Sequence, residues 1–366
     1  MRKSSVDTPF LLVVSGLVTF GLLIFTSAAL GLLARDSGAT FSSVASSQLL
    51  LGLVCGTIAM AALSRIDYRI WRPYTPYFFA FAVALTLLTF VPGVGLTIRG
   101  ASRWIEVLGF TFQPEEILKF DAVAFLAALY AARIRSMERW RTAFIPFILV
   151  AGGAMALLLL QPSTDGAVMI GLASVGILFA AGCRAQHIIV MGLVGTLAVG
   201  GAVYLQPNLR ERVQTFLDHS QDPLGAGWQI QQSLIAVGSG ELFGRGFGQS
   251  IEKFSYLPEP IGDSIFAVAA EEFGFVGSTA LVLLFVGFAI LGLRIASRAQ
   301  DPFGGLLVVG LVILIVGQSF FNMASTLGLV PISGLPLIFV SHGGTALAIA
   351  LAEVGVILSV SRRMRS

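Results

Sequence analysis

The sequence predicts an all-α polytopic membrane protein of about ten transmembrane helices, with a large extracytoplasmic loop between the seventh and eighth spans. Three observations predict it. The chain of 366 residues is 56 % hydrophobic and only 12 % charged, with a mean hydropathy of +0.87, which excludes an ordinary soluble enzyme. Apolar runs near the length of about 20 residues that a bilayer core requires recur along the whole chain. Arginines cluster in alternate turns between those runs, the asymmetry expected of a multi-pass protein.

The expected spans lie near 10–32, 44–64, 74–92, 113–132, 143–161, 165–182, 187–205, 264–293, 303–328 and 340–360. They make one integral membrane domain over 1–366, with 206–263 as its large outward loop. A short hydrophilic N-terminus feeds the first span without a small-residue cleavage site, so that span is read as retained. With both termini cytoplasmic, most of the 23 Lys and Arg fall inside, among them Arg65, Arg69, Arg72, Arg133, Arg141, Arg294 and Arg298. Arg35, Arg99, Arg103, Arg210, Arg212, Arg245 and Lys253 fall outside, and Lys119 lies within a span. The net charge of +3 is explained by basic residues at membrane ends and calls for no nucleic acid.

Taken in order, the first two spans read as plain scaffold joined by the outward loop 34–43. The turn Ser64-Arg-Ile-Asp-Tyr-Arg-Ile-Trp-Arg72 reads as an aromatic, basic interfacial anchor. Cys55 and Cys183, in or near apolar spans, read as small buried hydrophobes without a disulfide. His187, His219 and His342 are scattered, which gives a dedicated transition-metal site no support.

After the third span, Gln113-Pro-Glu115-Glu116-Ile-Leu-Lys119 opens the fourth, with Pro114 at the helix start where its missing N–H costs nothing. Glu115 and Glu116 stand i,i+4 and i,i+3 from Lys119 on one face, and Asp121 follows. Ionisable groups at that depth face a polar interior. Glu116 and Lys119 therefore either neutralise one another or shape a cavity. The turn 133–141 reads as a topology signal. In Gln161-Pro-Ser-Thr-Asp165-Gly, Asp165 either supplies charge to a site or caps the sixth helix, and the cap is preferred.

The loop from Gln206 offers arginines, glycine amides and interfacial apolar residues, the groups a lipid-linked diphosphate needs. It runs into Tyr256-Leu-Pro-Glu-Pro-Ile-Gly-Asp263, and Asp263 stands where this loop meets the eighth span. A half-buried carboxylate there suits a general base, or else an ordinary helix-terminal acid. In the eighth span, Glu271 and Glu272 are adjacent, so one must point away from lipid. Gln318 and Asn322 share a face of the ninth as candidate interhelical glue.

Several stretches together resemble the SEDS family of peptidoglycan polymerases typified by FtsW and RodA. They are Gly100-Ala-Ser-Arg103-Trp-Ile with Gln113-Pro-Glu-Glu116-Ile-Leu-Lys119, and Arg212-Val-Gln-Thr-Phe-Leu-Asp218 with Asp222-Pro-Leu-Gly225. The others are Gln229-Ile-Gln-Gln232-Ser233, Leu242-Phe-Gly-Arg245-Gly-Phe, Tyr256-Leu-Pro-Glu259, Asp263 and Pro331-Ile-Ser-Gly-Leu-Pro-Leu-Ile-Phe-Val-Ser341-His342-Gly-Gly-Thr345. The 212–232 stretch leans toward the FtsW branch. Departures from the family pattern are Glu115 for serine, Ser163 for aspartate with Asp165 two residues on, Ile338 for proline and His342 for tyrosine.

The resemblance implies a lipid II polymerase at the outer face of the bacterial cytoplasmic membrane, serving division or cell shape and releasing a lipid diphosphate. Its partners would be lipid II, membrane lipids, a class B penicillin-binding protein and other divisome or elongasome proteins. The implied base is Asp263. The implied substrate-binding groups are Arg103, Glu116, Lys119, Arg210, Arg212, Gln232, Ser233, Arg245, Ser341 and His342. A divalent cation, magnesium or manganese, would share the diphosphate without a dedicated ligand cluster. Two other classes compete at this stage: a lipid II flippase or carrier, and a non-enzymatic scaffold for the transpeptidase.

Overall fold

The structure, a computed structural model, describes residues 6–31, 41–98, 101–107, 110–205, 207–218 and 225–364. Most of the expected 34–43 loop, Arg35, Arg99, His219 and the Asp222-Pro-Leu segment lie outside them. The chain is predominantly helical. Its main helices are α1 Thr8–Leu30, α2 Val44–Arg65, α3 Thr75–Leu88, α4 Pro114–Ala132, α5 Trp140–Leu160 and α6 Thr164–Ala180. There follow α7 Ala185–Leu205, α8 Pro207–Leu217, α9 Ala226–Ser239, α10 Ile265–Ser297, α11 Pro302–Thr326 and α12 Gly344–Ser361.

Six of these, α1, α2, α5, α10, α11 and α12, are long and apolar enough to cross a membrane among the described residues. Helix α3 has 14 residues and α6 has 17, while α4 carries Glu115, Glu116, Lys119 and Asp121 near its start. Starts follow local chemistry. Asp7 accepts from Phe10 N ahead of Pro9, and Asp301 accepts from Gly304 N ahead of Pro302, each a capped N-terminus with proline where no N–H is needed. Of the six, α11 and α12 are the most enclosed. Glycines let α12 lie close along α2: a Cβ at Gly355 would stand 2.7 Å from Met60 O, and one at Gly52 2.9 Å from Leu347.

Two expectations change here. The chain is not all-α, because β1 Gly95–Ile98, β2 Ala101–Val107 and β3 Phe110–Phe112 form an antiparallel sheet in that order. Leu-Thr-Ile, Trp-Ile-Glu-Val and Phe-Thr-Phe are β-branched and aromatic runs, a hairpin pattern. The described part of the stretch 206–263, expected as the large loop, also contains α8, α9 and a one-turn helix at Glu252–Ser255. Helix α9 buries Ile230, Gln232, Ser233 and Ala236, and packs on α10.

Three smaller readings are corrected as well. Cys55 is exposed on the outside of α2, whereas Cys183 is buried, and both are free. Tyr68 is no surface anchor, being 1 % exposed and donating to the Asp301 carboxylate. Burial, reinforced by that bond, pushes its phenol up to about 12. Glu271 and Glu272 do not divide between lipid and interior, because both are buried.

Those two glutamates organise α10, which breaks at Gly274 with φ 65°. Backbone groups freed by the break are taken up by the preceding loop. Phe275 N donates to Glu241 O and Val276 N to Leu242 O, while Arg245 N and Gly246 N donate to the carbonyls of Glu271 and Glu272. A Cβ at Gly274 would collide with Gly244 N. The side chains then staple the next turn. Glu271 accepts from Ser250 Oγ at 2.6 Å and Ile251 N at 2.9 Å. Glu272 Oε1 accepts from Lys253 Nζ and from Ser27 Oγ of α1, each at 2.6 Å.

Lys253 is wholly enclosed, so Lys253→Met strands a buried carboxylate and should cost about 3–5 kcal/mol. Adding Glu272→Gln should recover most of that loss. Thermal unfolding of the detergent-purified protein checks it, and a single variant as stable as the double one would show the pair to be dispensable.

Candidate active site

The sheet, the 256–264 turn and the irregular 327–343 stretch meet above the helices and enclose a cavity of about 460 Å³. Its wall includes Arg103, Trp104, Gln113, Arg212, Glu259, Asp263, Pro336 and His342. Arg103 reaches it through a break in register. Leu96 pairs with Trp104 and Thr97 with Ser102, so Arg103 is the extra residue of a bulge. A bulge re-aims side chains, and Arg103 and Trp104 both line the cavity although they are adjacent. The guanidinium also donates to the carbonyls of Gln161 and Pro162.

Asp263 is half-buried on a turn gripped from three directions. Its carbonyl accepts from Asn322 Nδ2 at 3.0 Å and Thr326 Oγ1 at 3.3 Å of α11. Ser341 Oγ donates to Gly262 O at 2.9 Å, and His342 N to Ile261 O at 2.7 Å. Gln229 Nε2 donates to Ser264 Oγ at 3.0 Å. The cap position of α10 is Ser264, one residue on, so Asp263 is not the helix's cap residue.

The facing stretch is pinned too. Gln48 of α2 donates to Ser341 O at 3.1 Å and accepts from Gly343 N at 3.0 Å. Asn322 also donates to Leu335 O, and Gln318 to Pro336 O. Gln318 and Asn322 thus hold irregular backbone as well as packing helices. His342 stacks on Phe25 with centroids 6.1 Å apart. Burial holds its imidazole below the ordinary value, against the pull of the Glu259 carboxylate.

Asp165 corrects the preferred cap reading. The cap of α6 is Ser163, and the Asp165 carboxylate instead accepts from Arg212 Nη1 at 3.2 Å and Gly334 N at 3.1 Å. It therefore ties α8 and the irregular stretch to α6 and orients one cavity arginine.

The polar residues at the start of α4 lie deeper. Lys119 Nζ donates to Glu116 Oε1 at 2.8 Å and Gln318 Oε1 at 2.7 Å, all buried. Glu353 of α12 flanks the same small void. Glu115 accepts from Ser163 Oγ at 2.7 Å, over Gly166, where a Cβ would collide with its carboxylate. The two departures from the family pattern are thus one exchange: acid and hydroxyl have swapped positions across the α4–α6 contact.

Of the expected site residues, Arg103, Arg212, Asp263 and His342 share the cavity, and Ser341 supports its floor. Ser233 lines a smaller recess that meets Asp263 from the α9 side. Gln232 is buried in α9, and Arg210 is exposed on α8. Arg245 pairs with Glu271 at 3.4 Å. Gln48, Glu353 and the wall position of Glu259 escaped sequence reasoning. A lone polar residue in an apolar run was the available signal for Glu353.

In a half-enclosed cavity lined by Asp263 and two guanidiniums, the carboxylate can take a proton from a hydroxyl while the guanidiniums stabilise a departing anion. A family profile described as cell cycle protein, covering FtsW, RodA and SpoVE, matches residues 7–366. The chain is 37 % identical over 365 residues to stage V sporulation protein E of Bacillus subtilis (strain 168), covering 100 % of this chain and 99 % of that one. It is 39 % identical over 310 residues to a probable peptidoglycan glycosyltransferase FtsW of Geobacter sp. (strain M18), covering 85 % and 84 %. Among solved structures, a chain from a peptidoglycan synthase complex coordinating polymerization and crosslinking aligns with TM-score 0.79 and 26 % identity, covering 98 % of each chain. Rod shape determining protein RodA of Thermus thermophilus shares the fold at TM-score 0.72 and 24 % identity, covering 99 % of each.

The Glu115–Ser163 exchange has a direct test. Glu115→Ser or Ser163→Asp alone should cost roughly 1–3 kcal/mol by leaving hydroxyl against hydroxyl or carboxylate against carboxylate. Together they should cost less than the sum of the two single losses, by a coupling of about 1–3 kcal/mol in a double-mutant cycle of thermal unfolding. Additive losses would separate the two positions.

Proposed function

Because the chain belongs to the FtsW, RodA and SpoVE family of cell cycle proteins, we propose that the Asp263 cavity is where it acts as a peptidoglycan glycosyltransferase. It polymerises lipid II into glycan strands. The observation that carries the assignment of the site is the convergence of Asp263, Arg103 and Arg212 on one cavity of about 460 Å³.

The chemistry follows from those groups. A sugar hydroxyl of one lipid II attacks the anomeric carbon of another, giving up its proton to the Asp263 carboxylate. The new C–O bond forms as the bond to the diphosphate breaks, and the lipid diphosphate leaves with both electrons of that bond. Negative charge grows on the leaving oxygen, where Arg103 and Arg212 supply fixed donors. Asp165 holds Arg212 in place. His342 keeps the aromatic, hydrogen-bonding character of the family's tyrosine and adds a titratable group.

A divalent cation, magnesium or manganese, would accompany the diphosphate, with Asp263 and Glu259 of the cavity wall as the carboxylates available to hold it. Among the described residues no group of three His, Cys, Asp or Glu stands together. Bound there, the cation would neutralise diphosphate charge.

The reading extends to topology and partners. Ten spans with both termini cytoplasmic put the cavity at the outer face, where lipid II is polymerised; the arginine-rich turns at the opposite end support this. The working partner is a class B penicillin-binding protein, a reading supported by the likeness to a synthase-complex chain. The 212–232 segment and the FtsW relatives favour division over elongation.

Two measurements test the site. Asp263→Asn should lower glycan-chain formation from lipid II by about 10²–10⁴-fold with thermal unfolding unchanged, and normal turnover would remove Asp263 from the mechanism. For His342, the fold favours the neutral imidazole, so its contribution is present above the unfolded value of 6.5 and is lost as pH falls below that. Acidification should therefore lower the melting temperature of the wild type more than that of His342→Tyr. Parallel losses in the two proteins would exclude the histidine.

A further inference from the structure

A second cavity, of about 420 Å³, lies at the other end of the bundle, where the last turns of α4 face the start of α5. Its volume falls in the range of roughly 300–1,000 Å³ typical of small-ligand sites. Helix geometry opens it. Pro146 lies inside α5 and is followed by a widened π-helical turn over Phe147–Gly152, and both bend or swell a helix away from its neighbour. Phe125 and Leu129 of α4 form one wall, with Ile145 and Leu149 of α5 opposite.

The cavity also includes two cations, Arg133 at the end of α4 and Arg141 in the first turn of α5. Both are exposed. Among the described residues neither has a carboxylate partner, and nearby Glu138 is already paired with Arg184 at 2.7 Å. Trp140, stacked on Phe144 at 4.5 Å between centroids, adds the aromatic group that favours a membrane–water boundary. Apolar walls with unpaired guanidiniums complement a molecule with a hydrocarbon tail and a phosphate-bearing head.

We propose that this groove between α4 and α5 is a binding site for an anionic phospholipid, with an acyl chain against Leu129 and Leu149 and the headgroup phosphate between Arg133 and Arg141. Its place in the inner leaflet rests on the topology proposed above. The site itself does not, because binding in detergent is independent of which leaflet the groove faces.

The test uses the full chain purified in detergent and native mass spectrometry with phosphatidylglycerol or phosphatidylethanolamine added. Phosphatidylglycerol should be retained preferentially. Arg133→Gln with Arg141→Gln should weaken retention roughly 25-fold, about fivefold per arginine. Leu149→Gln, at an exposed position, should weaken it as well, whereas Arg135→Gln, outside the groove, should not. Thermal unfolding of each variant confirms the fold. Equal retention of the two lipids, an equal loss in Arg135→Gln, or displacement by inorganic phosphate with no effect of Leu149→Gln would overturn the proposal. Alkylation of Ser136→Cys in intact cells, compared with the parent chain that carries only Cys55 and Cys183, reads orientation separately, so a wrong topology is distinguishable from a missing site.

Discussion

Two adjacent buried carboxylates at a helix break hold the Asp263 end of this protein together. A backbone break within a membrane bundle is tolerated only when each freed N–H and C=O finds a partner inside the protein. Here the 241–246 segment supplies those partners at Gly274, while Glu271 and Glu272 fasten 250–253 and Ser27 of α1 to the same point. The Lys253–Glu272 pair neutralises charge that neither residue could bury alone. The segment leading to Asp263 is thereby fixed to α10 on one side of the break, and α10 begins two residues after Asp263.

From that anchor the site is assembled by amides and hydroxyls more than by ion pairs. Gln48, Gln318, Asn322 and Ser341 each bond to main-chain carbonyls or N–H groups of the irregular segments. Such bonds position backbone without adding charge to the cavity. The ionic contacts lie at the edges: Asp165 steers Arg212, and Glu116 with Lys119 sits beneath the floor. Cavity charge is thus concentrated in Arg103 and Arg212 against Asp263 and Glu259.

The departures from the family pattern acquire physical meaning once packing is known. Glu115 and Ser163 look like two unrelated losses along the chain, yet they face one another at 2.7 Å and preserve one acid and one hydroxyl. Asp165 sits two residues from the expected acid and looks like a cap, but its carboxylate reaches across to another helix. Ile338 is buried beside the Glu116–Lys119 void, where an aliphatic side chain fills space without a polar demand.

Apolar run lengths and charge asymmetry determined from sequence alone that this is a helical membrane protein, since the cost of exposing polar backbone to lipid leaves few alternatives. Asp263 was also legible as a site candidate, because an ionisable group beside an apolar run is costly unless used, whereas Arg103 was legible only through the motif that carries it. Tertiary structure decided what distance along the chain hides: the bulge that lets Arg103 and Trp104 face one cavity, the burial of Lys253 in a segment that reads as surface loop, and the separation of Lys119 from the cavity wall. Hydropathy is local and adds along a segment, whereas hydrogen-bond partnership depends on which segments meet, and only packing specifies that.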